Sequence, residues 1–304
     1  QMLLLAAARA RLGPEAVRTG HRLAAFEQRG DRVIARFVDR AGAGVGTVEG
    51  DALIAADGIH STVRARFYPD EGAPRWNGVM MWRGVTEGAA FLDGRTMAQA
   101  GHERQKFVCY PISKRHLDAG RALINWIADL KLDDRAMPNR EDWNRAGRLE
   151  DFLPHFASWH FGWLDVPGVI RGASAIYEFP MVDRDPLPRW SFGRVTLLGD
   201  AAHPMYPIGS NGATQAILDA DCIARLLAEM PGVEQAFARY EAERLPRAAA
   251  IVHMNRQRGI DQILEIVEQR APDGFERLED VLPQVELDGI VERYRQATSM
   301  QKPA

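Results

Sequence analysis

A short apolar run bounded by two glycines constrains the fold of this chain more than any other feature. Residues 194–198 read Arg-Val-Thr-Leu-Leu and lie between Gly193 and Gly199. An apolar run of this length between turn signals is typical of a strand that is buried on both faces, as in a parallel sheet. A loop rich in proline and glycine follows, and then a helical segment over residues 213–230. Strand, loop and helix in this order predict an α/β fold.

The loop between this strand and this helix carries a carboxylate at a position that suits ligand binding. Asp200 follows Gly199 at the carboxyl end of the strand, which is where open α/β sheets bind their ligands. Gly209 and Gly212 then leave the backbone bare before the helix begins. A helix N-terminus favours an anion or an electron-rich oxygen. The pattern predicts that Asp200 accepts hydrogen bonds from sugar-like hydroxyls while the helix start meets an electron-rich group.

A second strand, turn and helix segment stands at residues 57–64, which read Asp-Gly-Ile-His-Ser-Thr-Val-Arg. Taken alone it has a purely structural interpretation. Asp57 and Gly58 would form a turn, Ser61 would cap a helix, and Arg64 would form an ion pair at the surface. Since short motifs often match by chance, this structural interpretation is favoured for the segment by itself.

Together the two segments resemble the motifs of the single-component FAD-dependent aromatic hydroxylases, the para-hydroxybenzoate hydroxylase-like flavin monooxygenases. Residues 57–64 are similar to the Asp-Gly motif of that family, which lies near both FAD and NAD(P)H. Residues 199–212 are similar to its Gly-Asp motif. The segments that look most like the phenazine hydroxylase (5-methylphenazine-1-carboxylate 1-monooxygenase) branch are 81–84, 110–113 and 177–188.

The resemblance implies FAD as the cofactor and assigns roles to the two motifs. Asp200 would hold a ribityl hydroxyl of FAD, and the loop 207–213 would lie against the pyrimidine side of the isoalloxazine. The family commonly has Gly-Gln-Gly in this loop, whereas this chain has Gly-Ser-Asn-Gly over 209–212, which spaces the glycines differently. The expected cofactor-binding residues are Asp57, Gly58, Arg64, Gly199, Asp200, Pro207, Gly209, Ser210, Asn211, Gly212 and Ala213.

Three residues around this loop, Tyr206, Pro207 and His203, are candidates for a catalytic role, although the flavin would carry the chemistry. For His203 we favour packing and hydrogen bonding within the loop over action as a base. Tyr206 stands beside Pro207 and would line the substrate side of the flavin or pack in the core, and the sequence favours neither.

Four residues are candidates for contact with the substrate. Trp82, Arg83 and Tyr110 fall on strands of the predicted substrate domain, and Met205 falls in the flavin loop. A stripe of aromatic residues on a sheet is more often core. Arg83 would meet a substrate carboxylate or sit at the surface, and we favour the surface.

The resemblance also predicts the domain organisation. A doubly wound FAD-binding domain would comprise residues 1–75 and 187–250, interrupted by a β-sheet substrate domain over 76–186, with a C-terminal helical extension over 251–304. The family opens with a strand and a Gly-x-Gly-x-x-Gly turn that seats the ADP half of FAD, and the sequence has no such segment. We therefore expect the FAD-binding domain to be N-terminally incomplete, with the chain beginning roughly a hundred residues late, comparable to one mononucleotide-binding half.

The charge balance of the chain limits the classes of partner that we expect it to bind. Lys and Arg number 38 and Asp and Glu 41, a net charge of −3, which gives no electrostatic basis for binding nucleic acid or an anionic membrane. No apolar stretch approaches the ~20 residues that span a bilayer. We expect a cytoplasmic protein that holds no metal and whose partners are a small aromatic substrate, NADH or NADPH, and O₂.

The resemblance implies that an aromatic substrate, NAD(P)H and O₂ give a hydroxylated product and water through a C4a-hydroperoxyflavin. The ring would be phenazine-like or phenolic and carboxylated. Two alternatives stay open: an FAD-dependent dehydrogenase or reductase of related fold, and a non-catalytic fragment or ligand-binding protein that lacks the ADP site. The sequence leaves open the substrate, the hydroxylation position, NADH against NADPH, and the oligomeric state.

Overall fold

The computed structural model describes residues 2–132 and 145–298. The strands are β1 Arg22–Arg29, β2 Arg32–Val38, β3 Gly44–Gly50, β4 Leu53–Ala55, β5 Arg75–Gly88, β6 Ala98–His102, β7 Gln105–Pro111, β8 Ala122–Lys131, β9 His160–Phe161, β10 Leu164–Asp165, β11 Ala173–Asp183, β12 Ser191–Phe192 and β13 Val195–Leu197. The α-helices are α1 Met2–Leu12, α2 Thr62–Phe67, α3 Lys114–Asp118, α4 Leu149–Phe156, α5 Val166–Arg171, α6 Asn211–Glu229, α7 Val233–Arg256, α8 Gln262–Arg270, α9 Leu278–Val281 and α10 Gln284–Thr298.

The chain divides into two compact units. Unit 1 comprises Gln1–Ala73, Pro186–Pro204 and Gly212–Ala249, and unit 2 comprises Pro74–Asp185, Met205–Asn211 and Ala250–Ala304. The assignment of a flavin role to one part of the chain and a substrate role to the other stays a prediction. Two stretches of the predicted substrate domain and C-terminal extension, residues 133–144 and 299–304, lie outside the described residues.

Unit 1 is organised around the short apolar run. Strand β13 pairs in parallel with β4, with Val195 opposite Leu53 and Leu197 opposite Ala55. All of β13 is buried, which confirms the prediction of a strand covered on both faces. The core of unit 1 includes Trp190, Leu197, Phe237 and Tyr240, each at most 1% exposed. Helix α7 therefore packs against β13 through Phe237 and Tyr240.

Unit 2 contains a five-stranded antiparallel sheet in the order β11-β5-β8-β7-β6. Successive side chains of a strand point to opposite faces, and β5 shows this clearly. Trp82 packs in the main core of the unit and stacks on Phe152, with ring centroids 4.9 Å apart. Its neighbour Met81 belongs instead to a smaller cluster with Met181 and Tyr206. The second face is the one that carries the cavities described below.

Two elements differ from the local sequence signals. Residues 233–244 predict a helix that Pro246 would stop, but the helix continues as α7 to Arg256. A proline inside a helix costs about 3 kcal/mol, but residues beyond it, such as Ile251 and Val252, are buried, and their burial offsets that cost. The glycine-rich residues 41–46 predict a hairpin turn, but part of this stretch also belongs to β3, whose residues pair with β2 from Gly44 onward.

The fold class is confirmed as mixed α/β, with a parallel strand pair in unit 1 and an antiparallel sheet in unit 2. The predicted C-terminal helices are present as α8 to α10. Among residues 2–132 and 145–298, no helix has both the length and the apolar character needed to cross a membrane.

Candidate functional site

The Asp-Gly segment forms a tight turn that starts α2. The amide N–H of Ser61 donates to the Gly58 carbonyl at 3.0 Å, and Gly58 has φ +79°, a region open to glycine. Asp57 accepts from the amide of Thr62 at 2.8 Å. The Ser61 hydroxyl accepts from the amide of Arg64 at 2.9 Å and caps the helix. The local turn and cap therefore follow the structural interpretation, and Asp57 remains exposed beside them.

Arg64 does not lie at the surface, which corrects one expectation. Its side chain is 2% exposed and pairs with Glu71. The same guanidinium donates from Nη1 to the carbonyls of Ala201 and Ala202 at 3.1 and 2.9 Å. Charged groups at this depth need partners, and Arg64 takes all of these from the protein. Arg64 thus ties the Asp-Gly turn to the Gly-Asp turn within unit 1, and it acts as a positioning residue.

The Gly-Asp turn is held from beneath by a buried carboxylate on α6. Asp219, which is 0% exposed, accepts from the amide of Gly199 at 3.1 Å and from His203 Nε2 at 2.6 Å through the same oxygen. Its other oxygen accepts from Arg244 Nε at 2.7 Å. Burial raises the pKa of Asp219, but hydrogen bonds from His203 and Arg244 outweigh that effect, so the pKa lies below its usual range.

His203 has the structural role that the sequence favours. It is 2% exposed, bonds Asp219 as described, and packs against Trp190 with ring centroids 5.2 Å apart. Its Nδ1 is buried and has no hydrogen-bond partner in the described chain. A ring enclosed in this way packs within the turn and ties it to Asp219 on α6.

Asp200 differs from its neighbours because it has no hydrogen-bond or ion-pair partner in the described part of the chain. The residue is exposed, although nearby protein atoms desolvate the carboxyl enough to raise its pKa, an effect that His203 opposes. A Cβ placed on Gly212 would meet nothing closer than Asp200 Oδ1 at 3.9 Å, so the space before this carboxylate is open. The turn presents a free acceptor beside bare backbone, which fits a ligand rich in hydroxyls such as the ribityl chain of FAD.

In unit 2 the loop before α6 is pinned by a tyrosine from α10. The Tyr294 hydroxyl donates to the Gly209 carbonyl at 3.2 Å and accepts from the Asn211 amide group at 2.8 Å. Gly209 has φ +69° and Ser210 φ +56°. A Cβ on Gly209 would stand 1.6 Å from the Tyr294 oxygen, so only glycine fits there. The side-chain amide of Asn211 is thus bonded to Tyr294, while Ser210 is exposed.

Two cavities lie on the second face of the unit 2 sheet. The smaller one, which we call the loop cavity, is bordered by the loop residues 207–210 together with Met81, Arg83 and Tyr110. The larger, which we call the Lys106 cavity, measures about 190 Å³. Both are lined by Lys106, Asp129, Met181, Ile208 and Asp261.

Arg83 is half-buried and borders the loop cavity, which corrects the preference for a surface position. Its guanidinium lies 5.7 Å from the centre of the Phe179 ring. Its Nε is buried without a hydrogen-bond partner in the described residues, and no carboxylate of those residues forms an ion pair with it. Burial lowers the pKa of Arg83, against a weaker opposite effect from Asp129. The guanidinium of Arg83 is therefore a cation without an acidic partner among the described residues.

Two of the substrate candidates border neither of these two cavities. Trp82 points into the main core of unit 2, because it follows Met81 on β5 and so takes the opposite face. Met205 packs with Ile251 and Val252. Tyr110 borders the loop cavity, as expected, and Tyr206 is buried while bordering the Lys106 cavity. The sequence left open whether Tyr206 packs in the core or contacts a ligand. In the structure Tyr206 packs in a core cluster and also lines a cavity.

Several residues that shape the site were missed from the sequence. Asp219, Arg244 and Tyr294 lie on helices far along the chain, where a polar residue is usually solvated. Asp219 carries a usable signal, since it stands among apolar residues of a helix with a buried face. Lys106 and Asp129 are cross-strand partners on β7 and β8, a relation that only the strand register reveals. Among residues 2–132 and 145–298, no group of His, Cys, Asp or Glu is placed to hold a metal ion.

Unit 1 thus presents the exposed carboxylate of Asp200, which has no partner among the described residues, beside the glycine turn at Gly199. The sequence matches the FAD binding domain family over residues 2–255. Because this match covers most of the chain, the chain belongs to that FAD-binding family. FAD is the cofactor of the family.

Similarity to individual proteins agrees with this family. The chain is 50% identical to phenazine 1,6-dicarboxylic acid hydroxylase of Lysobacter antibioticus over 85% of this chain and 64% of the relative. It is 34% identical to 3-amino-4-hydroxybenzoate 2-monooxygenase of Streptomyces platensis over 82% of this chain and 59% of that relative. The chain therefore spans about three fifths of the length of these curated relatives.

The fold is also that of a solved flavoprotein. The structure of HpxO from Klebsiella pneumoniae in complex with FAD and uric acid superposes with a TM-score of 0.71 at 24% identity, over 95% of this chain and 70% of that one. At this level of identity the likeness concerns the fold alone.

The buried Asp219 network predicts a pH-dependent loss of stability on Asp219→Asn. Since the pKa of Asp219 is lowered by folding, its carboxylate contributes stability above the unfolded pKa near ~4, and this is lost as the pH falls through the folded pKa. We expect the substitution to reduce the free energy of unfolding by about 3 kcal/mol at neutral pH, with the deficit narrowing below pH ~4. Urea unfolding followed by tryptophan fluorescence across pH measures this.

The control is Asp221→Asn, which changes an exposed aspartate on the same helix and should leave the curve unchanged. Equal stability of the Asp219 variant and the control at neutral pH would contradict the role of Asp219.

The loop pinned by Tyr294 predicts a second, purely steric effect. Gly209→Ala places a methyl group against the Tyr294 hydroxyl and requires a left-handed conformation of alanine, so we expect a loss of about 1–3 kcal/mol in unfolding free energy. Gly212→Ala is the matched control, because its nearest neighbour would be 3.9 Å away and it lies in the first turn of α6. Thermal melts of both variants compare them, and an equal effect of the two substitutions would refute the steric account.

Proposed function

We propose that this chain belongs to a flavin-dependent monooxygenase that hydroxylates an aromatic carboxylate, phenazine-like or phenolic, with NAD(P)H and O₂. The observation that carries the proposal is the loop cavity, where residues 207–210 and the unpaired Arg83 border the same space. A cation that has no acidic partner among the described residues, beside a loop that we assign to the cofactor, favours an anionic ring substrate. The 50% identity to a phenazine dicarboxylic acid hydroxylase supports the same substrate class.

In unit 1, Asp200 would accept a hydrogen bond from a hydroxyl of FAD, and the bare backbone of Gly199 and Gly212 would allow close approach. The exposed Asp57 and its neighbour Gly58 would contribute a second edge, with Arg64 holding both turns in place. The residues proposed here include none for the ADP half of the cofactor.

In unit 2, the loop 207–210 would lie against the isoalloxazine, with the Tyr294 contacts fixing its shape. Helix α6 follows this loop and spans 19 residues, so its first amides present donors and the positive end of a dipole. That end stabilises negative charge on a reduced ring. Ser210 and Ala213 are exposed and would therefore contribute through their backbone.

When bound, the flavin takes two electrons from NAD(P)H and uses O₂ to deliver one oxygen atom to the ring, the other leaving as water. The described residues hold and shield the substrate. Arg83 would bind its carboxylate through paired N–H donors. Met81, Met181 and Ile208 offer apolar and polarizable surface that packs on a ring and excludes water. Tyr206 completes this wall, since its body is buried against Val79, Met81 and Met181.

A cytoplasmic location stays a prediction, supported by the need for NAD(P)H. NADH against NADPH is likewise left to measurement.

Labelling with ¹⁸O₂ tests the proposal. The full chain is incubated with FAD, NAD(P)H, a phenazine-1-carboxylate and ¹⁸O₂, and the product is analysed by mass spectrometry. We expect substrate-stimulated oxidation of NAD(P)H and one labelled oxygen atom in the product, because the oxygen comes from O₂ and not from water. A parallel reaction in H₂¹⁸O with unlabelled O₂ is the control and should give unlabelled product.

Two outcomes would overturn the proposal in favour of a named alternative. Oxidation of NAD(P)H with an unlabelled product indicates a dehydrogenase or reductase. A folded chain that takes up no FAD, and oxidises no NAD(P)H when substrate is added, indicates a non-catalytic ligand-binding protein.

A further inference from the structure

The Lys106 cavity contains a buried ionic cluster that the proposed reaction does not use. Lys106 Nζ lies 3.2 Å from Asp129 Oδ2 and 2.5 Å from Asp261 Oδ2, and the three side chains are 12%, 5% and 12% exposed. Burial alone would lower the pKa of Lys106, but the two carboxylates raise it, so the amine stays charged. One ammonium group contacts one oxygen of each carboxylate, so the cluster contains more hydrogen-bond acceptors than Lys106 alone can pair with.

Three oxygen atoms around this cavity are buried and have no hydrogen-bond partner in the described residues. They are Asp129 Oδ1, Asp261 Oδ1 and Asn255 Oδ1. Asn255 is 1% exposed, and its amide group donates to the Tyr206 carbonyl at 2.9 Å, which fixes the other end of the side chain as the acceptor. Buried polar atoms are nearly always paired, so three acceptors beside one cavity indicate a donor that comes from a ligand.

The cations around the cavity are already committed. Arg256 donates to both oxygens of Asp183 at 2.7 and 2.9 Å and to Asp185 at 2.7 Å. Arg258 pairs with Glu103 and lies 3.8 Å from Glu265. The unmet demand in this cavity is therefore for hydrogen-bond donors, whereas at Arg83 in the loop cavity it is for an anion.

We propose that the Lys106 cavity is a specificity subsite that recognises a hydrogen-bond-donating substituent of the aromatic substrate, an amine, a hydroxyl or a ring N–H, and disfavours a second carboxylate. The proposal rests on the proposed function, with Arg83 binding the one carboxylate of the same substrate. A site built to pair with N–H or O–H groups rejects an analogue that lacks them, because its buried acceptors are then left unpaired. A second carboxylate would face Asp129 and Asp261 with the same sign of charge.

The proposed subsite favours a different substitution pattern from the one in the name of the phenazine relative. That protein is named for a dicarboxylic acid, so its named substrate carries a carboxylate at two positions. The chain described here would instead take a ring with a carboxylate at one end and a donor at the other.

Binding of three matched probes tests the subsite: 6-aminophenazine-1-carboxylate, 6-methylphenazine-1-carboxylate and phenazine-1,6-dicarboxylate. Dissociation constants are measured by isothermal titration calorimetry on the full chain in the presence of FAD. We expect the amino compound to bind at least tenfold more tightly than the methyl compound, and the dicarboxylate to bind most weakly.

Asp129→Asn sharpens the test, because it keeps the shape of the side chain and supplies an N–H donor in place of a carboxylate oxygen. It should reduce the advantage of the amino compound to less than threefold and tighten binding of the dicarboxylate. A merely structural defect would weaken all three probes together. Asp118→Asn is the matched control, since this aspartate is exposed and pairs with Lys114, outside the residues that line either cavity. Asp261→Asn takes the place of Asp129→Asn if that variant does not fold.

The outcomes separate this proposal from the proposed function. If the methyl compound binds as tightly as the amino compound, or the dicarboxylate binds best, the subsite is refuted while an aromatic carboxylate site stands. If a folded chain binds none of the probes, the proposed function fails and the subsite fails with it.

Discussion

A single buried carboxylate, that of Asp219, holds the Gly-Asp turn to which we assign the cofactor. It accepts from the amide of Gly199, from His203 and from Arg244, so one side chain accepts hydrogen bonds from three groups in the interior. Such a group is costly to bury alone and stable only when fully paired. Because these donors bond Asp219, they do not bond Asp200, the residue after Gly199. Asp200 is exposed, and its carboxylate oxygens have no hydrogen-bond partner among the described residues.

The polar groups of unit 2 differ from those of unit 1, because some of them have no partner among the described residues. In this part of the chain one cavity borders a cation without an acidic partner, and both cavities border carboxylate oxygens without a hydrogen-bond donor. Arg83 stands in one without an acidic partner, and Asp129 and Asp261 border both with acceptor oxygens that no described donor reaches. A fold usually satisfies such groups internally. The most direct reason for leaving them unsatisfied on one sheet face is a ligand that brings both an anion and a donor, which is why we interpret these cavities together as one substrate site.

Local sequence was sufficient for features that are themselves local. The glycine-bounded run, the Asp200 turn and the start of α6 lie within 30 residues, and their order alone predicted a buried parallel strand followed by a helix. The cap at Ser61 was likewise predictable, because capping involves residues three positions apart. Pro246 misled in the same local way, since its effect on the helix depends on how well the following turns are buried.

The remainder depends on contacts between distant residues. Arg64 was expected at the surface, yet its partners Ala201 and Ala202 lie more than 130 positions away. Trp82 and Arg83 are adjacent in sequence but occupy opposite faces of β5, and only the packing of the sheet decides which face is core. The Lys106 and Asp129 pair requires the register of β7 against β8.

We propose that Asp200 binds the cofactor, and the affinity for FAD tests this role most directly. Quenching of flavin fluorescence on titration gives the dissociation constant for the unchanged chain and for Asp200→Asn. A charged hydrogen bond is worth about 1.5–3 kcal/mol, so we expect at least a tenfold weaker affinity for the variant, with unchanged thermal stability because no described residue bonds this side chain. An unchanged dissociation constant in a folded Asp200→Asn protein would contradict it.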